Sequence, residues 1–450
     1  MPTLLTGRDN PARGLPERLA AVGLLLGLAG FFIAPGPAAA AGSALAVAAA
    51  LTAPPLGLLA ALATLPLDLE TRALGPLAVS SSELMILAAA LASGLRWLFR
   101  APFSLRPTAF DRPIALFLVS ALLSLLVTGY LRLSLRELRT LILEPVLAFY
   151  LLLAWFPGRA IRWPLTAFLA GAVGVALAGL LGWPSGWGVS QAEGVRRLQA
   201  TYPSPNHLGL LLGRALPWLV ALAWFGGSWR RSAVIGALIV AAALLATYSL
   251  GGWLGTFAAL LTLAWALGRG RLLAAATGLG VIVGLAGLAV FRTERLWQHL
   301  EPGRGTTFFR LQLWQSALAM VRDHPLLGVG LDNFLYLYQQ RYILPGARAE
   351  ANLSHPHNLV LHFWLQLGLP GLVAALWLLA AAFALARRLF YTSCDRLTRA
   401  LAIGAAASLV DFVVHGLIDN SYFLLDLAIV FWLTLALLES GRRCEMAERS

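Results

Sequence analysis

Apolar runs of roughly 17–22 residues recur along almost the whole of this chain, separated by short polar segments. That is the length of a helix that crosses a bilayer. The pattern predicts spans at about 19–35, 38–53, 55–69, 77–99, 113–130, 139–156, 163–183, 206–226, 232–248, 251–268, 272–291, 357–386, 398–418 and 421–439. Arg8, Arg13 and Arg18 precede the first run and small residues follow at Ala38 to Ala41, as in a signal peptide. The next run begins at once, so the first reads as a retained span. The expected fold class is all-α: a polytopic membrane helical bundle of about 12–14 spans, the first three short and rich in Ala and Pro.

Two polar segments interrupt the pattern. One runs from Pro184 to Pro205, the other from Arg292 to Pro356. A connection as long as the second has structure or function of its own. Leu311, Trp314, Leu318 and Val321 fall at helical spacing and Asp323-His324-Pro325 ends the pattern. Gly328-Val329-Gly330 predicts a tight turn, and Asp332 to Tyr342 a second amphipathic helix. The expected organisation is an N-terminal transmembrane bundle at 1–291, a helical loop at 292–356, and C-terminal spans with a short tail at 357–450.

Charge orients the bundle. The 34 basic residues are all arginine against 21 acidic ones. In a soluble domain that excess would suggest nucleic acid. Here mean hydropathy is +0.76 and the arginines flank spans, so no nucleic-acid partner is expected. With 14 spans and a cytoplasmic N-terminus, the clusters at Arg96–Arg112, Arg159/Arg162, Arg230/Arg231, Arg269/Arg271, Arg387–Arg399 and Arg442/Arg443 are all cytoplasmic. Both long polar segments then face outward. Arg132, Arg136 and Arg139 break the rule and read as an amphipathic or re-entrant helix near anionic lipid, or as a miscount of the spans. Cys394 and Cys444 fall on the cytoplasmic side and have no metal-ligand spacing.

Candidate chemistry collects at Ser354-His355-Pro356-His357-Asn358, where the long loop meets an apolar helix. A histidine there can take a proton from a hydroxyl nucleophile without metal or cofactor; the alternative is an interfacial anchor. Arg197, Arg310 and Arg214 are candidates to hold a diphosphate. Arg197 and Arg310 read equally as headgroup-facing charges, and Arg214, inside a span, as an ion pair with Glu144 or Asp411. His207 and Arg214 share a helix face. Asp411, His415 and Asp419 recur at i, i+4, i+8 on another span, as a proton relay or as a polar brace beneath a site. Gly368-Leu369-Pro370-Gly371 predicts a break in the helix begun at His357.

These residues resemble the O-antigen ligase and polymerase superfamily of bacterial membrane proteins. Arg197-x-x-x-Thr201-Tyr202-x-x-Pro205-Asn206 is similar to its Arg-x-x-Gly-Thr-Phe-x-x-Pro-Asn segment. Arg310-x-x-x-Trp314 through His324-Pro325-Leu326-Leu327-Gly328-Val329-Gly330 and Asn333-Phe334 follows its loop signature. His357-Asn358, with Gly368 and Gly371, resembles its His-Asn helix start, and Asp419-Asn420 closes the series. Two positions depart from the family pattern: Ser249-Leu250-Gly251 lacks the arginine of Ser-Arg-Gly, and Gln366 stands where an acidic residue is common. The resemblance implies transfer of a glycan from undecaprenyl diphosphate to a glycan or lipid acceptor hydroxyl, with inversion, no cofactor and no metal. It places His357 at the acceptor and Arg197 and Arg310 on the diphosphate; beside these, Asn358 is a further catalytic candidate, Arg214 a candidate third diphosphate ligand, and Asn206, His207, Trp314, Asp411, His415 and Asp419 are supporting candidates. It also implies a bacterial inner or plasma membrane address with the site on the periplasmic or extracellular face. Ligase, polymerase and protein O-oligosaccharyltransferase activities stay open within this class. A transporter or flippase using Arg214, Asp411 and His415 is the reading from a different class; it predicts internal repeats and paired broken helices, and the sequence offers one broken helix.

Overall fold

Ser80 opens a helix with a reciprocal cap: its hydroxyl accepts from Glu83 N–H, and its own N–H donates to the Glu83 carboxylate at 2.7 Å. Ser204, Ser249, Asn358 and Asp395 cap later helices through side-chain oxygens. The apolar runs between such caps form helices because a bilayer leaves the backbone no other partner. The computed structural model describes residues 15–33, 36–67, 71–74, 77–99, 106–192, 195–270 and 306–449. The predicted span 272–291, and the polar segment up to residue 305, lie outside the described residues.

The chain is an all-α polytopic membrane protein. Its helices are α1 Leu15–Ile33, α2 Gly36–Thr52, α3 Pro54–Thr64, α4 Ser81–Leu98, α5 Asp111–Ser124, α6 Leu131–Glu137, α7 Glu144–Trp155, α8 Arg162–Gly182, α9 Pro205–Phe225, α10 Arg230–Ala246, α11 Leu250–Ala266, α12 Thr306–Asp323, α13 Phe334–Leu337, α14 Leu359–Thr392, α15 Arg396–Gly416 and α16 Leu425–Arg449. A helix thus lies on each predicted span within the described residues. Seven of the described helices are long and apolar enough to cross a membrane, and three more are shorter apolar helices. Two antiparallel hairpins are the sheet content among the described residues: β1 Arg72–Leu74 with β2 Leu77–Val79, and β3 Val189–Ala192 with β4 Val195–Leu198. The second lies in the polar segment 184–205 and pairs Arg197 with Ser190.

The arginine-rich segment that broke the charge rule is helical from Leu131. It runs through a π-helical turn, Leu138–Leu143, into α7 as one continuous apolar stretch. Arg139 turns inward and bridges Glu83 at 2.9 Å and Glu144 at 2.8 Å.

Small residues draw α9, α11 and α15 together. A methyl group at Gly213 or Gly255 would lie 2.6 Å from Asp411 Oδ1, and one at Gly251 would strike the His415 ring. The glycines recur four apart on α9 (Gly209, Gly213) and α11 (Gly251, Gly255), the spacing that lets membrane helices approach closely.

The described part of the long polar segment forms a helical cap with its own core. Leu313, Ala317, Met320 and Val321 of α12 pack with Val329, Phe334 and Tyr338, and with Leu361 and Leu365 of α14. The inward stripe therefore differs from the predicted one: Leu311 and Leu318 are exposed. The helix is apolar on two sides, and the side carrying the small Ala317 docks. Asp332 takes a left-handed turn, so the second cap helix starts only at Phe334.

The cap is locked to the bundle at the break in α14. At 34 residues α14 is about 50 Å long, more than a bilayer core requires. Gly368 interrupts it with φ 70° and ψ −176°. A side chain on Gly368 would collide with the Leu326 carbonyl, and one on Gly328 (φ 69°) with the Leu365 carbonyl. Val329 N–H donates to Leu365 O at 2.7 Å, and Leu369 N–H donates to Leu326 O at 3.0 Å.

Candidate active site

The break and the cap fix the start of α14, and with it His357. This residue lies in the left-handed region, φ 47°, between Pro356 and the extended cap residue Asn358. A non-glycine residue held there costs on the order of 1–3 kcal/mol, which surrounding contacts must offset. Asn358 supplies two of them: Oδ1 accepts from Leu361 N–H, and Nδ2 donates to Leu417 O at 3.1 Å, tying α14 to the end of α15.

The His357 imidazole is half-buried, with Nδ1 2.8 Å from Asp419 Oδ1. Nε2 makes no hydrogen bond among the described residues. A proton on Nδ1 facing the carboxylate leaves the Nε2 lone pair available as a base. Asp419 is itself fixed: Asn420 N–H donates to its Oδ1 at 2.8 Å, and Asn420 closes a turn onto Phe423 through both ends of its side chain. Burial acts to raise the Asp419 carboxyl, but the nearby imidazoles of His355 and His357, the latter hydrogen-bonded to it, and the charge of His357 and His415 outweigh it. The carboxyl is held well below the usual carboxylate range.

Two further histidines extend the site. The His355 ring lies 4.2 Å from that of His357, tilted 55° to it, with Nε2 3.9 Å from Asp419 and Nδ1 3.0 Å from Ser354 Oγ. Burial lowers its imidazole below the ordinary value, against the pull of Asp419. His362, one turn into α14, stacks on His355 and contacts Gln366 at 3.1 Å; Gln366 in turn reaches Glu137 of α6 and accepts from Asp332 N–H. His355, His357 and Asp419 bring three metal-type donors within 4.8 Å of one another. The 2.8 Å separation of His357 and Asp419 is that of a charge-assisted hydrogen bond.

The other sequence candidates divide. Arg310, half-buried on α12, makes no hydrogen bond or ion pair among the described residues, and lies within electrostatic range of His415, one turn from Asp419. Arg197 is half-buried. It donates to Asn206 Oδ1 at 2.7 Å and to the Thr247 and Tyr248 carbonyls that end α10. His207 faces inward onto Asp426 at 3.0 Å, and Tyr202 donates to the same carboxylate; His207 also lies within electrostatic range of His355. Trp314 packs against the cap core.

Arg214 requires a correction as a diphosphate ligand. It is 1 % exposed, lies 3.4 Å from Asp411, donates to Ser421 O and Oγ, and stacks over Phe412. A guanidinium enclosed on every side cannot meet a headgroup; it is the internal ion pair with Asp411 that the sequence allowed as the other reading. Asp411 also accepts from Thr256, and His415 is fully buried against Gly251. Sequence reading missed Asp426 and His362. The signal for Asp426 was available, since an acid among apolar membrane residues has a partner. His362 reads as one polar residue in an apolar run until the fold stacks it on His355.

Fold and site together define a multi-pass helical membrane protein with an imidazole–carboxylate pair beneath a helical cap. The chain matches the model of the O-antigen ligase family over residues 235–376, which supports its place in the membrane glycan ligase and polymerase superfamily. The matched segment holds Arg310, Trp314 and His357, while Arg197, Asp411 and Asp419 lie outside it. No curated protein matches the chain.

Proposed function

We propose that this protein transfers a glycan from undecaprenyl diphosphate to an acceptor hydroxyl at the outer surface of the bacterial plasma membrane. The observation that carries the reading is the His357–Asp419 pair, with Nδ1 held and Nε2 open. The acceptor O–H attacks the anomeric carbon of the donor while its proton passes to His357 Nε2. The new C–O bond forms as the bond from that carbon to the diphosphate oxygen breaks, so the configuration inverts. Asp419 positions the imidazole and stabilises the imidazolium. Undecaprenyl diphosphate departs with both electrons, and Arg310 and Arg197 stabilise its growing charge. Asn358 acts as a positioning residue through its cap. No step is assigned to a metal or cofactor.

Purified protein in liposomes with a labelled undecaprenyl-diphosphate glycan and separate acceptors, with EDTA present, tests this. Label on a single acceptor identifies a ligase; a ladder of lengthening chains identifies a polymerase. Full transfer by a folded His357→Ala variant overturns the mechanism. The transporter reading needs Arg214, Asp411 and His415 to line a path. Their enclosure among Gly213, Gly251 and Gly255 favours a packed brace.

A further inference from the structure

The strap between α15 and α16, residues 417–424, presents Asp419 to His357, and just past its far end stands a second buried carboxylate. Asp426, in the first turn of α16, is 4 % exposed. It accepts from the Tyr202 hydroxyl at 3.0 Å and from His207 Nε2 at 3.0 Å. A carboxylate only accepts, so the His207 proton facing it sits on Nε2. The two rings lie 4.5 Å apart and both are buried. Both donors come from one arm, residues 197–207, which runs from β4 into the first turn of α9. The same arm carries Arg197 and Asn206, and Asn206 Oδ1 accepts from Arg197 at 2.7 Å. Ser204 closes its turn by accepting from His207 N–H.

The strap is held between its two carboxylates as well. Asn420 closes a turn onto Phe423. Arg214 donates to Ser421 O and Oγ, and also lies within electrostatic range of Asp426. The Tyr422 hydroxyl donates to Leu141 O and accepts from Trp432 Nε1. One end of this held segment thus orients the His357 imidazole, and the other receives the arm that carries Arg197. We infer that Asp426 is a positioning residue for the donor: through Tyr202 and His207 it sets where Arg197 stands relative to the His357–Asp419 pair. In-line displacement needs the base and the leaving diphosphate at a fixed separation, and a misplacement of about 1 Å costs on the order of 10²-fold. Packing alone does not call for a buried carboxylate, whose desolvation cost its bonds only offset. The role rests on the glycan-transfer reading, which puts a diphosphate on Arg197.

Undecaprenyl diphosphate itself is the probe, so that binding is read without transfer. Its affinity for the full chain in nanodiscs is measured for wild type, Asp426→Asn and Tyr202→Phe, alone and combined with Arg197→Gln or Arg310→Gln, with the melting temperature alongside. Asp426→Asn turns one accepting oxygen into a donating amide. Tyr202→Phe removes one hydroxyl and keeps the ring, and carries the test if the asparagine variant does not fold. Each is expected to bind roughly tenfold more weakly, the size of one hydrogen bond to a charged group. Added to Arg197→Gln, neither should weaken binding further, because an arm without its cation has nothing left to misplace. Added to Arg310→Gln, whose arginine belongs to the cap, the losses should multiply. Wild-type affinity in both variants overturns the role, and so do losses that multiply with Arg197→Gln, the mark of a general loosening. A wild type that does not bind undecaprenyl diphosphate overturns the diphosphate reading of Arg197 itself, and this role with it. In the liposome assay Tyr202→Phe should raise the KM for the lipid-linked donor and leave that for the acceptor unchanged; an equal rise in both contradicts a role specific to the donor.

Discussion

Leu365 O and Leu369 N–H, which a regular helix would join to each other, both bond to the cap instead: the carbonyl accepts from Val329 and the amide donates to Leu326. Gly368 between them makes the exchange possible, and the loop Leu326–Val329 fills the opening. Gly368→Ala brings a methyl group against the Leu326 carbonyl and holds alanine at φ 70°. The expected loss is about 2–4 kcal/mol from strain and overpacking. Thermal melting in detergent reads it, and limited proteolysis should find new cleavage between residues 306 and 356. Wild-type melting with a protected cap would contradict this account of the lock.

The His357–Asp419 pair predicts a graded response in transfer. His357→Ala is expected to lose about 10²- to 10⁴-fold in kcat, the usual contribution of a positioned base. Asp419→Asn keeps the size of the side chain but loses the charge that stabilises the imidazolium, and should lose about tenfold or more, also in kcat. Both are measured with the melting temperature alongside, so that a folding defect is separated from a chemical one.

Acidification should destabilise the fold in two windows. His355 has its imidazole lowered by burial, so below about pH 6.5 the unfolded chain takes up a proton that the folded one refuses, and stability falls. Asp419, held well below the carboxylate range, contributes stability above about pH 3.9 that is lost as pH drops through its lowered value. Melting temperature against pH should therefore decline on the acid side. His355→Ala should flatten the segment below pH 6.5, and Asp419→Asn the segment below pH 4.

Arg214 and Asp411 predict a stability defect without a binding defect. Arg214→Met leaves a fully buried carboxylate and the Ser421 carbonyl without their cation, at a cost of about 3–5 kcal/mol. Replacing both charges, as R214M/D411L, should recover part of that loss, because two enclosed charges vanish together. A raised donor KM in a stable Arg214→Met protein would return this arginine to the diphosphate.

Arg310 predicts the reverse. It makes no ion pair among the described residues and is half-buried on α12, so Arg310→Gln should leave the melting temperature within about 1 °C of wild type, as for a substitution that touches no named stabilising contact. In the transfer assay it should raise the KM for the lipid-linked donor and lower kcat.

The spans were legible in the sequence because a bilayer demands long apolar helices whatever their neighbours do. The end of α12 at Asp323, the turn at Gly328 and Gly330 and the break near Gly368 were legible too, since glycine and proline constrain the backbone locally. The histidine cluster could be seen as a concentration of chemistry at a helix start. What contiguous residues could not show was which side of an ambiguous helix is buried. Leu311 and Leu318 have the right spacing, and the cap packs through Leu313, Ala317 and Met320 instead.

The long-range pairings were decided by the tertiary structure alone. His357 meets Asp419 across 62 positions and His207 meets Asp426 across 219. Arg214 reads equally as a ligand-facing cation and as an internal ion pair until α9 and α15 are placed side by side. The sequence by itself determined a bundle of membrane helices with a histidine-rich helix start, because hydropathy and backbone stereochemistry act over a few residues. Only the fold decided which charges neutralise one another inside the bundle and which, as at Arg310, make no ion pair among the described residues, because the cost of a buried charge depends on what packs around it.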